Sequence, residues 1–263
     1  MEVLVCAKRV PDTSENEIQI AGGGQDIERD DLVYSINEPD NYAVEEALRI
    51  VERAGGNVTV VTAGGEDDEE ILRREMAMGA KNGVLISDEA FNGSDGRGIA
   101  TILRAFVKKG HYDLILTGVQ ADDGAAQVGG MLAAMLDYPF ASLVNSIEVL
   151  DGGKLKITRE IEGGNKEISE IDLPCVLSIQ TGINEPRYVG MRGIRQVASI
   201  PIPTYGAAEL SMNGNAVGGA AAKVKRVDYF IPPAGKGAEM LEGGREEVIG
   251  KLIGMLKAKG GLK

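Results

Sequence analysis

Apolar residues recur along this chain in two alternating rhythms. Short runs of strand length, Val3–Ala7, Val58–Thr62, Val84–Ile86, Leu114–Leu116 and Pro174–Ile179, are almost free of charge. Between them lie stretches whose apolar positions fall three and four apart, the spacing of one helical face. The first covers about 42–50, with Ala43, Ala47, Leu48 and Ile50 inward and Asp40 or Asn41 as its N-cap. Others cover Glu66–Met78 and Gly98–Lys109, and one starts at Gln127, with Val128, Met131, Leu132, Met135 and Leu136 on one side. Glycines punctuate them at Gly55-Gly56, Gly64-Gly65 and Gly79. Uncharged runs alternating with amphipathic helices predict an α/β fold, a mostly parallel, Rossmann-like sheet covered by helices on both faces.

The rhythm changes after residue 140. A strand over Leu143–Val149 is followed by Lys154–Glu160 and Glu167–Ile171, separated by the glycine pairs Gly152-Gly153 and Gly163-Gly164. This meander is expected to form an antiparallel edge of the same domain. Residues 18–33 read as a small excursion that turns at Gly22-Gly23-Gly24. Beyond Pro201 and Pro203 the chain is rich in Gly, Ala, Ser and Asn up to residue 223 and has no period. Val224–Phe230 is expected to be a strand. A last helix covers 243–259, with Val248, Leu252, Ile253 and Leu256 on one face. The chain thus divides into an α/β domain, 1–200, and a C-terminal arm, 201–263. The arm has too little apolar sequence for its own core and is expected to pack on a partner chain or around its own domain.

One stretch organises the rest. Residues 113–138 pass from an apolar strand through Thr117-Gly118 into an acidic, small-residue loop and then into a helix. A strand, a glycine turn and a helix N-terminus present free backbone N–H groups to an anion. Lys8 and Arg9 leave the first strand, where a parallel sheet places its ligands; they read equally as phosphate contacts or as a solvated loop. Asp122-Asp123 reads as a cap for the following helix, as an acceptor for ribose hydroxyls, or as a metal-binding pair.

Composition narrows the chemistry. Asp plus Glu number 40 against 28 Lys plus Arg, a formal net charge of -12, and aromatics are only 4% with no Trp. This argues against a nucleic-acid surface and against attraction to anionic membranes. No apolar stretch is long enough to span a bilayer, and no signal peptide is visible, so a cytoplasmic location is expected. Cys6 and Cys175 sit in apolar runs without metal-ligand neighbours, as in a reducing compartment. With His111 the single histidine, a His-based metal site or a Ser-His-acid triad has no basis. Neither GxGxxG after the first strand nor GxxxxGK[ST] occurs. The residues alone describe a nucleotide-shaped α/β domain with an arm and no reactive side chain, so the chemistry belongs to a cofactor or a partner.

Several motifs in order resemble the beta subunits of electron transfer flavoproteins. They are Lys8-Arg9-Val10 after the opening strand, Ala43-Val44-Glu45-Glu46-Ala47, Met76-Ala77-Met78-Gly79-Ala80, and the loop ending Gln127-Val128-Gly129. They continue with Ile157-x-Arg159-x-x-Glu162-Gly163-Gly164 and Asn184-Glu185-Pro186-Arg187-Tyr188, with Ser169 standing where an aliphatic residue is usual. The resemblance implies an adenine nucleotide alpha hydrolase-like fold and a heterodimer with a larger alpha subunit. That subunit carries most of the redox FAD, and the C-terminal arm with its terminal helix packs on it. The beta subunit itself is implied to be an electron carrier component with no turnover alone. Its pocket holds AMP as a structural ligand or, in electron-bifurcating members, a second FAD reduced by NADH. Carried over by motif, the pocket residues are Ala7, Lys8, Asn37, Asp40, Ala63, Gly64 and Gly118, then Asp122, Asp123, Gly124, Ala125, Ala126, Gln127, Val128 and Gly129. The loop is one residue shorter than usual, Val119 replaces an expected basic residue, and Ala126–Gly129 is similar to the bifurcating form; AMP is the leading expectation. The segment 187–197 resembles the loop that docks acyl-CoA dehydrogenase-type partners, with Met191 as the apolar anchor and Arg187, Arg192, Ile194 and Arg195 around it. The alternatives are that Met191 packs on its own helix, and that the chain is a non-redox nucleotide-binding α/β protein.

Overall fold

A computed structural model describes residues 1–233, 235 and 237–262; Ala234, Lys236 and Lys263, which fall in the expected arm, lie outside the described residues. The apolar runs become the strands β1 (Glu2–Cys6), β4 (Asn57–Ala63), β5 (Asn82–Ile86), β6 (Leu114–Gly118) and β10 (Cys175–Ile179). β2 (Arg9–Pro11) and β3 (Tyr34–Ile36) form a separate antiparallel pair. β7 (Phe140–Leu150), β8 (Lys154–Ile161), β9 (Asn165–Asp172) and the short β11 (Thr204–Tyr205) complete the main sheet. Its order is β11-β5-β4-β1-β6-β10-β7-β8-β9. All pairings from β11 to β7 are parallel, and β8 and β9 add an antiparallel edge, as the sequence predicts.

Alternation along the strands builds two cores. Val3 and Val5 of β1, Leu114 and Leu116 of β6, and Leu177 of β10 join α1 (Glu38–Ala54) and α2 (Glu69–Met78) on one face. Leu4, Ile115 and Val176 join α3 (Gly96–Val107) and α4 (Val128–Leu136) on the other. Strands buried on both faces have no polar side to show, and this is why they read as uncharged runs.

Three elements depart from their expected form. α1 starts at Glu38 rather than 42, because Pro39 suits the first turn; Asn37 is the N-cap, so Asp40 and Asn41 lie inside the helix. β10 inserts between β6 and β7, so β7 begins as a parallel strand at Phe140. It then bends at Leu143 (φ 58°) and the adjoining register shift, and pairs onward with β8. Val224–Phe230 forms no strand. Val224 and Val227 are exposed, and the N–H groups of Lys223 and Val224 go to the Asp95 carboxylate instead of a ladder.

The stretch after Pro203 begins as part of the same packed body. Thr204 and Tyr205 pair with Leu85 and Ile86, and Leu210 and Val217 are buried in the second core. From Lys223 onward the described residues lie on the surface. The terminal helix, α6 (Arg245–Ala258), buries none of its residues. α5 (Met191–Val197) lies against α2, with Gly193 so near the Ala77 carbonyl that a Cβ would sit 3.2 Å from it.

Candidate functional site: a crevice at the sheet's switch point

From β1 the chain winds through α1 to β4 and β5, and then crosses to β6 on the other side. The carboxyl ends of β1 and β6 therefore open a crevice, the usual ligand position in such sheets. Asp40 closes its floor. One carboxylate oxygen accepts the Lys8 N–H at 2.9 Å and the other accepts the Gly118 N–H at 2.8 Å. Burial pushes this carboxyl up to about 7, against the pull of those two amides. Gly118 has no alternative here, since a Cβ would lie 2.3 Å from the Asp40 oxygen.

Asn37 ties the next layer together. Its backbone N–H donates to the Lys8 carbonyl at 2.8 Å, and its Nδ2 donates to the Gln120 carbonyl at 2.9 Å. Its Oδ1 is buried without a partner. Ala7 is buried, held by its N–H to the Val61 carbonyl at 2.9 Å. Ala63 and Gly64 end β4 beside it, where Asp68 accepts the Gly65 N–H at 2.8 Å and leaves no room for a Gly64 side chain.

The loop from Gln120 to Gln127 forms the other wall. Gly124 donates back to the Ala121 carbonyl at 2.9 Å, and Ala126 takes a positive φ of 53° before α4 begins. Asp122, Asp123, Gly124, Ala125 and Ala126 are exposed. Lys8 Nζ reaches across to the Asp123 carboxylate. Neither aspartate caps α4, whose N-cap is Gln127 without a side-chain bond. Among the described residues no cluster of three or more metal-ligating side chains occurs, so the metal-binding reading of Asp122-Asp123 has no further ligands.

The start of α4 leaves backbone amides free. Met131 N–H donates to the Gln127 carbonyl at 3.1 Å; the amides of Val128, Gly129 and Gly130 come before it and have no acceptor within the helix. Beneath them the hydroxyls of Thr117 and Ser178 lie 3.0 Å apart and buried. A Cβ on Gly129 would come within 2.5 Å of Ser178 Oγ and 2.8 Å of Thr117 Oγ1, so glycine lets the helix settle onto the ends of β6 and β10. Thr117 and Ser178 were not among the expected site residues, because their pairing joins strands distant in sequence. An orphan acceptor at the floor and free amides at the wall suit the adenosine and phosphate portions of a nucleotide.

The expected docking segment lies elsewhere. Arg187 is not free. Its Nε donates to Glu45 and one terminal nitrogen to Glu52, each at 2.8 Å. Burial opposes the charge on Glu45, but Arg187 and Arg49 outweigh it and hold this carboxyl below the usual range. Arg187 thus roots the segment on α1. Beyond it Tyr188 is 93% and Met191 66% exposed, so Met191 does not pack on its own helix. Ile194, Arg192 and Arg195 are exposed beside it.

Comparison with known proteins identifies the family. Residues 26–210 match the electron transfer flavoprotein domain. The electron transfer flavoprotein subunit beta of Methylophilus methylotrophus is 37% identical over 257 residues, 96% of this chain and 97% of that protein. The chain belongs to the electron transfer flavoprotein beta-subunit family. The caffeyl-CoA reductase-Etf complex subunit CarD of Acetobacterium woodii is 38% identical over 263 residues, 98% of this chain and 99% of that one. The Bacillus subtilis beta subunit is 33% identical over 261 residues, 98% of each. Membership brings electron transport within a flavoprotein heterodimer, and it displaces the non-redox alternative. Among the described residues no helix is long and apolar enough to cross a membrane.

Proposed function

We propose that this chain, paired with an electron transfer flavoprotein alpha subunit, holds AMP in the β1/β6 crevice and shapes the surface where redox partners dock. The carrying observation is the Asp40 clasp beside the free amides of α4, a floor and an anion wall in one crevice. Asn37 Oδ1 and the backbone at Ala7, Ala63 and Gly64 serve the adenosine end. Gly118 and the turn from Asp122 to Gly129 serve the phosphate end, with Gln127, Val128 and Gly129 nearest to it. Asp40 contributes by positioning, since both its oxygens are spent on backbone amides. FAD, held mainly by the alpha subunit, supplies the electron chemistry of the complex. The exposed α6 is the surface offered to that subunit. Tyr188, Met191, Ile194, Arg192 and Arg195 offer an apolar anchor ringed by charge to an acyl-CoA dehydrogenase-type partner; a relative named for a caffeyl-CoA reductase complex supports a partner acting on CoA esters.

The second reading places an FAD in the same crevice, reduced by NADH. The Ala126–Gly129 sequence favours it. Anaerobic NADH added to the purified heterodimer separates the two. No bleaching of the flavin, with full bleaching by a substrate-reduced dehydrogenase, is expected; bleaching by NADH alone would establish the second reading.

A further inference from the structure

The arm returns to the crevice. Between Lys223 and Tyr229 it has no regular structure, yet both ends are pinned. The N–H groups of Lys223 and Val224 donate to one Asp95 oxygen at 2.6 and 3.2 Å, while the other oxygen caps α3 through the Gly98 N–H at 2.9 Å. At the far end Tyr229 N–H donates to the Gly24 carbonyl at 2.7 Å. Gly24 has a φ of +70°, and a Cβ there would meet the Asp228 carboxylate at 2.8 Å, so only glycine lets the strap lie this close.

Arg226 is the middle of the strap. Its guanidinium lies 3.8 Å from Asp26 and 3.9 Å from Asp123, the same carboxylate that takes Lys8 Nζ. The side chains of Arg226 and Lys8 are each 47% exposed and that of Asp123 is 33% exposed. Pairs this wet contribute about 0–1 kcal/mol each, so both cations can leave Asp123 at little cost. Two cations sharing one carboxylate at the mouth of an anion site are poised for a better partner. A phosphate presents more charge and more acceptor oxygens, and a guanidinium binds it by two parallel hydrogen bonds.

We propose that Arg226 is a phosphate ligand delivered to the crevice by the C-terminal arm. It acts together with Lys8, and Asp123 is the counterion that both exchange for the phosphate of an adenine nucleotide. The assignment rests on the reading of the crevice as a nucleotide site. It adds a residue from outside the sequence motifs that suggested that site, and it gives Asp123 the part of a competitor rather than a ligand.

Calorimetric titration of the heterodimer, freed of adenine nucleotide and with the alpha-subunit FAD in place, tests it with AMP and adenosine as probes. Replacing Arg226→Gln is expected to weaken AMP about tenfold or more and leave adenosine unchanged, with Arg226→Lys restoring part of the loss. Asp123→Asn is expected to strengthen AMP several-fold and again leave adenosine unchanged. An AMP-to-adenosine preference that neither Arg226→Gln nor Asp123→Asn alters would overturn the assignment. So would equal loss of both probes in Arg226→Gln, which marks a side chain that only holds the strap. Wild-type heterodimer that binds neither probe would overturn the nucleotide reading itself.

Discussion

Asp40 and Gly118, 78 residues apart, meet at 2.8 Å across the switch point of the sheet, and the same carboxylate holds Lys8. One side chain on α1 thus fixes the exits of both strands that frame the crevice. Replacing Asp40→Ala leaves two part-buried amides without acceptors. A stability loss of roughly 2–5 kcal/mol is expected, with loss of crevice nucleotide, and Asp40→Asn should lie between. Denaturant unfolding and nucleotide content of the same preparations check this.

Gly129 makes a second, local test. Gly129→Ala drives a methyl into the Thr117 and Ser178 hydroxyls and should lift the first turn of α4. The expected cost is about 1–3 kcal/mol, together with weaker AMP retention. The double change Gly129→Ala with Ser178→Gly should recover part of both, read by melting temperature and bound nucleotide.

Met191 tests the docking surface apart from the crevice. Met191→Ala should slow electron transfer from a partner dehydrogenase about tenfold while flavin and nucleotide content stay unchanged. Arg187→Ala should act differently. It strips Glu45 of a partner and should lower stability as well as transfer. Stopped-flow transfer rates beside melting curves separate the two effects.

Glu75 carries a pH prediction. It is fully buried on α2 with neither oxygen partnered, and burial pushes its carboxyl from 4.5 up to about 8. The folded state therefore keeps a proton that the unfolded state releases above 4.5. Stability from this group is complete below 4.5, declines as pH rises towards about 8, and levels off beyond it. Glu75→Gln should flatten that decline, giving a higher melting temperature than wild type at pH 9 and no gain at pH 5.

Much of this could be read from the chain itself. Strands such as Val3–Cys6 and Leu114–Leu116 were legible because burial on both faces removes polar residues altogether. The antiparallel edge was legible from its glycine pairs. The place of β10 between β6 and β7 was not, because spatial order depends on packing between segments far apart. Val224–Phe230 shows how β-prone residues mislead when the backbone amides go to a carboxylate and a single turn carbonyl instead of a neighbouring strand. In the crevice, Asp40 was found by motif, yet its work is done through Lys8 and Gly118. The hold of Arg187 on α1 was not legible, because its partners, Glu45 and Glu52, sit 142 and 135 residues earlier. Thr117, Ser178 and Arg226 carry no local signal and emerge only when the chain is folded.

The most direct measurement is the nucleotide content of the complex purified with its alpha subunit, denatured, and resolved by chromatography. One FAD and one AMP per heterodimer is the result expected for a carrier whose β1/β6 crevice is a structural phosphate cradle. Two FAD and no AMP would contradict it and make the loop from Asp122 to Gly129 part of a second redox site.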